Sequence, residues 1–112
     1  MRRFALFLLT LQLLWADSPQ IVSAKAERLE NGEYAIYATI KHNDTSLDHR
    51  VVRWEILEEG RKVLAVRIVH DLKSAPYIKS EFIGLETDKE RLFLRAFDPL
   101  HGYGESYELK LP

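Results

Sequence analysis

From residue 20 onward, apolar and polar side chains alternate with a period of two, the repeat of a half-buried strand rather than of a helix. Seven runs carry this pattern: 20–29, 33–42, 50–57, 61–69, 77–85, 91–98 and 105–111. In the second run Tyr34, Ile36, Ala38 and Ile40 share one face, and Tyr37, Thr39 and Lys41 take the other. The third opposes Val52, Trp54 and Ile56 to Arg53 and Glu55. Leu64, Val66 and Ile68 form the expected inner face of the fourth, Leu92, Leu94 and Ala96 that of the sixth, and Tyr107, Leu109 and Leu111 that of the last.

The breaks between runs have turn chemistry. Asn31-Gly32 is the strongest short hairpin signal in the chain. Glu58-Glu59-Gly60 suits a three-residue loop with Gly60 left-handed, where a missing Cβ removes the steric penalty. Such a loop pairs Leu57 with Arg61, and hence Trp54 with Leu64 and Val52 with Val66. Ser74-Ala75-Pro76 and the stretch from Asp98-Pro99 through Gly102 and Gly104 mark two longer connections. Seven short runs with regular turns predict an all-β fold, a seven-stranded antiparallel two-sheet sandwich. With Trp54 on the third strand, the chain resembles immunoglobulin-like and fibronectin-type-III domains. It lacks the disulfide of true antibody domains, and the resemblance implies a fold without implying an activity.

The first sixteen residues depart from the alternation. Met1-Arg2-Arg3 is a basic head, residues 4–15 are apolar apart from Thr10 and Gln12, and Ala16 is a small residue at a natural cleavage position. This is the three-part layout of an export signal, too short for a membrane span. The expected organisation is a signal peptide over 1–16, cut after Ala16, and one domain over 17–112. The alternative is a buried N-terminal helix. Processing implies a periplasmic or secreted protein with no remaining membrane span, and lowers the formal charge from −1 to about −3. A chain this acidic is not expected to bind nucleic acid. The absence of cysteine removes disulfides, thiolate metal sites and a cysteine nucleophile together.

Strands that run up and down place successive loops at alternate ends. The second-to-third, fourth-to-fifth and sixth-to-seventh connections therefore share one end. That end collects all four histidines, His42, His49, His70 and His101, along with Asp44, Asp48, Asp71 and Asp98. His42 continues the inner face of its strand, and His70 is expected to continue that of the fourth. Imidazole suits Zn²⁺ or Cu(II), so the first reading is a metal or small-ligand site on His42, His70 and His101, completed by His49 or an aspartate. The other reading is that these rings are hydrogen-bonded strand-end residues or partner contacts. Asp98, Gly102 and Tyr103 belong to a loop at the same rim, read either as a recognition loop or as a turn needing positive φ at both glycines.

The outer face of the sheet built from the third, fourth and sixth runs should carry Val51, Leu57, Val63, Ala65, Val69, Phe93 and Phe97 among Arg53, Arg67 and Arg95. So apolar a face predicts contact with a protein partner or a second copy, centred on Arg53, Arg67, Arg95, Phe93 and Phe97. The alternative is that the arginine stems cover it. Asn43-Asp44-Thr45 matches a glycosylation acceptor, and Ser46, Asp48 and His49 include triad residue types without a nucleophile elbow or oxyanion motif. The expectation is a small exported, non-enzymatic binding or accessory domain, or alternatively a protein-interaction module. From His70 through Ala75-Pro76-Tyr77, Phe82, Leu92, Leu94 and Asp98 to the glycine turn, the chain also resembles the immunoglobulin-like subunit of bacterial thiosulfate-oxidation carrier proteins. That resemblance implies a non-catalytic periplasmic partner of a carrier subunit and assigns no residue roles.

Overall fold

The computed structural model describes residues 18–42, 49–70 and 76–112. The expected signal segment, the Asn43–Asp48 stretch with its acceptor and triad residue types, and Asp71 lie outside them. The described residues contain no helix and eight strands: β1 (Gln20–Arg28), β2 (Tyr34–Lys41), β3 (Arg53–Leu57), β4 (Val63–Ile68), β5 (Tyr77–Leu85), β6 (Arg91–Asp98), β7 (Gly102–Tyr103) and β8 (Tyr107–Lys110). They form two antiparallel sheets, one ordered β1-β2-β5, the other β4-β3-β6 with β7 and β8 both paired to β6. The expected last strand, 105–111, is found as β8, and β7 is an additional two-residue strand inside the expected glycine loop.

The alternation on β2 and β6 locates the core. Tyr34, Ile36, Ala38 and Ile40 are buried from one sheet, Leu92, Leu94 and Ala96 from the other, with Trp54 and Ile56 of β3 between them. Trp54 is fully enclosed, and its indole N–H donates to Ser80 Oγ of β5 at 2.8 Å, a hydrogen bond that crosses from sheet to sheet. A buried indole keeps its polar edge satisfied in this way.

The register of β3 against β4 differs from the expected one. The loop is Glu59-Gly60-Arg61, closed by Arg61 N–H to Glu58 O (3.1 Å) and Glu58 N–H to Lys62 O (3.0 Å), with left-handed φ at both Gly60 (85°) and Arg61 (67°). A bulge between Ile56 and Leu57 adds a further residue of offset. Trp54 therefore lies opposite Arg67, not Leu64. An odd shift turns every side chain of a strand to its other face. Val66 and Ile68 accordingly point out, at 42% and 49% exposure, while Val69 is buried. Val51, placed on the outer face by the alternation, is fully buried as well.

Gly104 has a steric role, not the left-handed φ expected of it. Its N–H donates to Ala96 O at 3.1 Å, and a Cβ there would land inside the Pro19 carbonyl. This close approach seats the start of β1 against the connection between β7 and β8, where Glu105 N–H reaches Gln20 Oε1 at 3.3 Å. Gly104→Ala should lower stability by roughly 1–3 kcal/mol, as overpacking against backbone does. Gly32→Ala, with open space around its Cβ position, should be strained only by its φ of 87° and lower it by less in the same denaturant titration.

Candidate metal centre

The strand end that closes both sheets holds a buried carboxylate. Asp98 is the last residue of β6, with no solvent exposure. Asp98-Pro99-Leu100-His101 is turn chemistry: aspartate at the first position accepts backbone N–H groups two and three residues on, and proline presets the next φ. Asp98 Oδ1 takes Leu100 N–H at 2.6 Å and His101 N–H at 3.1 Å, and Gly102 follows with φ 82° to return the chain as β7.

The other oxygen faces three imidazoles. His42 Nε2 lies 2.8 Å from Asp98 Oδ2, His101 Nδ1 3.1 Å and His49 Nε2 3.3 Å. The rings stack edge to face, His42 on His49 at 5.0 Å between centroids and His49 on His101 at 4.7 Å. His42 follows β2, whose inner-face alternation it continues; its own N–H bonds to Pro76 O, so the backbone fixes where its ring begins. His49 precedes β3, and His101 sits in the turn after β6. The cluster thus draws on both sheets. The Asp98 and His42 side chains are at most 2% exposed, while those of His49 and His101 are 20% and 22% exposed, leaving one side open to solvent.

Desolvation alone would raise the Asp98 pKa. The Leu100 N–H, the His101 and His42 rings and the His101 N–H outweigh it and hold the carboxyl below its usual value, so the group is an anion. One ligand atom from each of His42, His49 and Asp98 falls within 4.8 Å of the others. Ligand atoms around tetrahedral Zn²⁺ stand about 3.3–3.4 Å apart for bonds near 2.0–2.1 Å. The three nitrogen-to-Oδ2 distances already lie within about half an ångström of that, and closing a separation of 4.8 Å requires about 1.4 Å of ring movement.

His70 stands apart. It follows β4, is exposed, and lines a cleft between β4 and β5 instead of joining the aspartate-centred group. Asp98 was expected as a loop residue and as one of four rim aspartates that could complete the histidine site, not as its centre. The cue to its role is the Asp-Pro-x-x-Gly spacing, which buries one carboxylate oxygen in the turn and frees the other to face the rim.

The outer sheet face holds Arg53, Arg95, Phe93, Phe97 and Tyr103 around Glu55, which is only 5% exposed. Glu55 accepts from Arg53 Nε (3.1 Å), Arg95 Nε (2.9 Å) and the Tyr103 hydroxyl (2.8 Å). The Arg53 guanidinium lies over Phe97 at 4.0 Å and that of Arg95 over Tyr103 at 3.9 Å. Arg67 is not part of this face; the shifted register puts it on the side of Trp54. No family model, curated protein or solved structure matches the chain.

Burial would raise the Glu55 pKa, but hydrogen bonds from Tyr103, Arg95 and Arg53 overcome it and leave the pKa lowered from 4.5. A depressed folded-state pKa stabilises the fold above the unfolded value, and that contribution is lost as the pH falls below about 4.5 through the lower folded value. Glu55→Gln should therefore destabilise the protein by roughly 1–3 kcal/mol at pH 7. Urea titrations from pH 7 to pH 3 should show the gap to wild type closing in acid.

Proposed function

We propose that this protein is a small exported, non-enzymatic domain that binds one divalent transition-metal ion, Zn²⁺ or Cu²⁺, through His42 Nε2, His49 Nε2, His101 Nδ1 and Asp98 Oδ2. One observation carries the reading. A carboxylate offers about four lone-pair directions, and two are taken at Oδ1 by backbone N–H groups. Two remain for three ring nitrogens within 3.3 Å of Oδ2. Three imidazole nitrogens from three different strand ends converge on one anionic oxygen, a donor set that a cation held between the rings and the oxygen would use.

Three nitrogens and one oxygen complete a tetrahedral set with no position left for substrate, the pattern of a structural or carried metal. Such an ion ties the end of β2 in one sheet to the β6–β7 turn in the other. In a chain without disulfides, that link restrains the seam where the two sheets meet. The export signal and an immunoglobulin- or fibronectin-type-III-like strand arrangement belong to the same reading, supported by the sixteen-residue leader pattern and the β1-β2-β5 and β4-β3-β6 strand orders. The sheet-face alternative is less well supported, because Arg53 and Arg95 are already committed to Glu55 and to stacking on Phe97 and Tyr103.

Metal-stripped protein should bind Zn²⁺ or Cu²⁺ at one equivalent by titration calorimetry. At a hundredfold excess over Kd, the ion should add about 2.7 kcal/mol of stability, seen as a rise of several degrees in Tm. His49→Ala and His101→Ala, at rings about one-fifth exposed, should abolish most of the rise; His70→Ala should keep it. Absence of stoichiometric binding by Zn²⁺, Cu²⁺ and Ni²⁺ would reduce the cluster to a hydrogen-bond network.

A further inference from the structure

Among the described residues two strands end their sheets without a neighbour, β4 in one and β5 in the other, and a cleft of about 440 Å³ runs between them. Small side chains open it: Ala38 and Ser80 oppose each other on β2 and β5, with Ile78 beside them. Arg67, His70, Lys79 and Glu81 line it, and among the described residues Arg67 forms no ion pair. In a chain of net negative charge, Arg67 is an unneutralised cation directed into this seam.

The backbone at both edges is available. Val69 N–H donates to Val52 O, so by the alternation of an antiparallel ladder the N–H and C=O groups of Val66 and Ile68 point away from β3. His42 N–H donates to Pro76 O, which turns those of Tyr77, Lys79 and Glu81 away from β2. The side chains of β4 are sorted as well. Arg67 is on the inner side, opposite Trp54, while Val66 and Ile68 are exposed on the outer side.

We propose that the open seam between β4 and β5 binds an extended, acidic segment of a partner protein, which adds to β4 as a further strand with apolar and carboxylate side chains alternating. Strand addition supplies main-chain hydrogen bonds, and alternate side chains supply specificity. A residue facing Arg67 across the new pair points into the seam, where a carboxylate meets Arg67. Its neighbours point outward and extend the Val66–Ile68 strip. A second copy of this chain fits less well: antiparallel pairing of β4 with itself brings two Arg67 side chains to the same side of the new pair, with no carboxylate between them. The proposal does not rest on the metal reading.

The test uses a fluorescein-labelled peptide of alternating valine and glutamate, seven residues long, and its valine–lysine counterpart, followed by anisotropy in chelator and again with Zn²⁺. Saturable binding of the glutamate peptide alone, equal in both conditions, is expected. Arg67→Glu, at an exposed position, should weaken it about tenfold or more, and Lys79→Glu should weaken it less. Val66→Pro removes an N–H that serves no bond within the sheet, so it should abolish binding while circular dichroism and Tm stay near wild type. No binding, equal binding of the two peptides, or wild-type affinity in Arg67→Glu would overturn the proposal. So would a dimer by sedimentation velocity that Val66→Pro dissolves, since the edge would then serve a second copy.

Discussion

A carboxylate cannot leave water without other donors replacing the hydrogen bonds that water made, and Asp98 has left it completely. Everything at the closed end of the two sheets follows from meeting that demand. Two donors come from its own turn, which forces the chain to fold back at Gly102 and form β7. The rest must come from side chains, and the nearest are His42, His49 and His101, delivered by the ends of β2, β3 and β6. The anion is thus the centre around which the three imidazoles are arranged, and their meeting depends on strand ends in different sheets being held in place by the core beneath.

Glu55 faces the same demand on the outer face and meets it with permanent cations and a hydroxyl instead of imidazoles. The contrast is chemical. Guanidinium groups cannot lose a proton or ligate a metal, so the Glu55 network is fully occupied and serves stability and the ordering of Tyr103. Imidazoles can lose a proton and present a lone pair, so the Asp98 cluster can take up an ion where the Glu55 cluster cannot. Two buried carboxylates in one small domain therefore differ in the chemistry open to them because their donors differ.

Much of this was legible in the sequence wherever one strand face is strongly apolar. Tyr34, Ile36, Ala38 and Ile40, and Leu92, Leu94 and Ala96, leave only one side to bury, and these are the buried residues of β2 and β6. The neighbourhood of His42, His49 and His101 follows from the same strands. The β3–β4 hairpin was not legible, because β4 reads as apolar on both faces: Val63, Ala65 and Val69 alternate with Leu64, Val66 and Ile68. With no polar face to penalise a slip, turn geometry decides the register, and a left-handed Arg61 is a conformation that local sequence does not announce. His70 rode on that register and left the cluster with it.

The slip has a further physical consequence. Arg67, on the same side as Trp54, lies toward the space between the sheets, yet a charged side chain cannot be buried there unpaired. It is tolerated because β4 is an edge strand and because Ala38 and Ser80 leave the seam open to solvent. An inward-pointing charge on an edge strand is also a device that discourages indiscriminate pairing, since any strand that docks must neutralise it. Arg67 thus turns an otherwise adhesive apolar edge, Val63 through Ile68, into one that accepts carboxylate-bearing strands and repels basic ones. The same odd-numbered offset that moved His70 away from the Asp98 cluster created that selectivity.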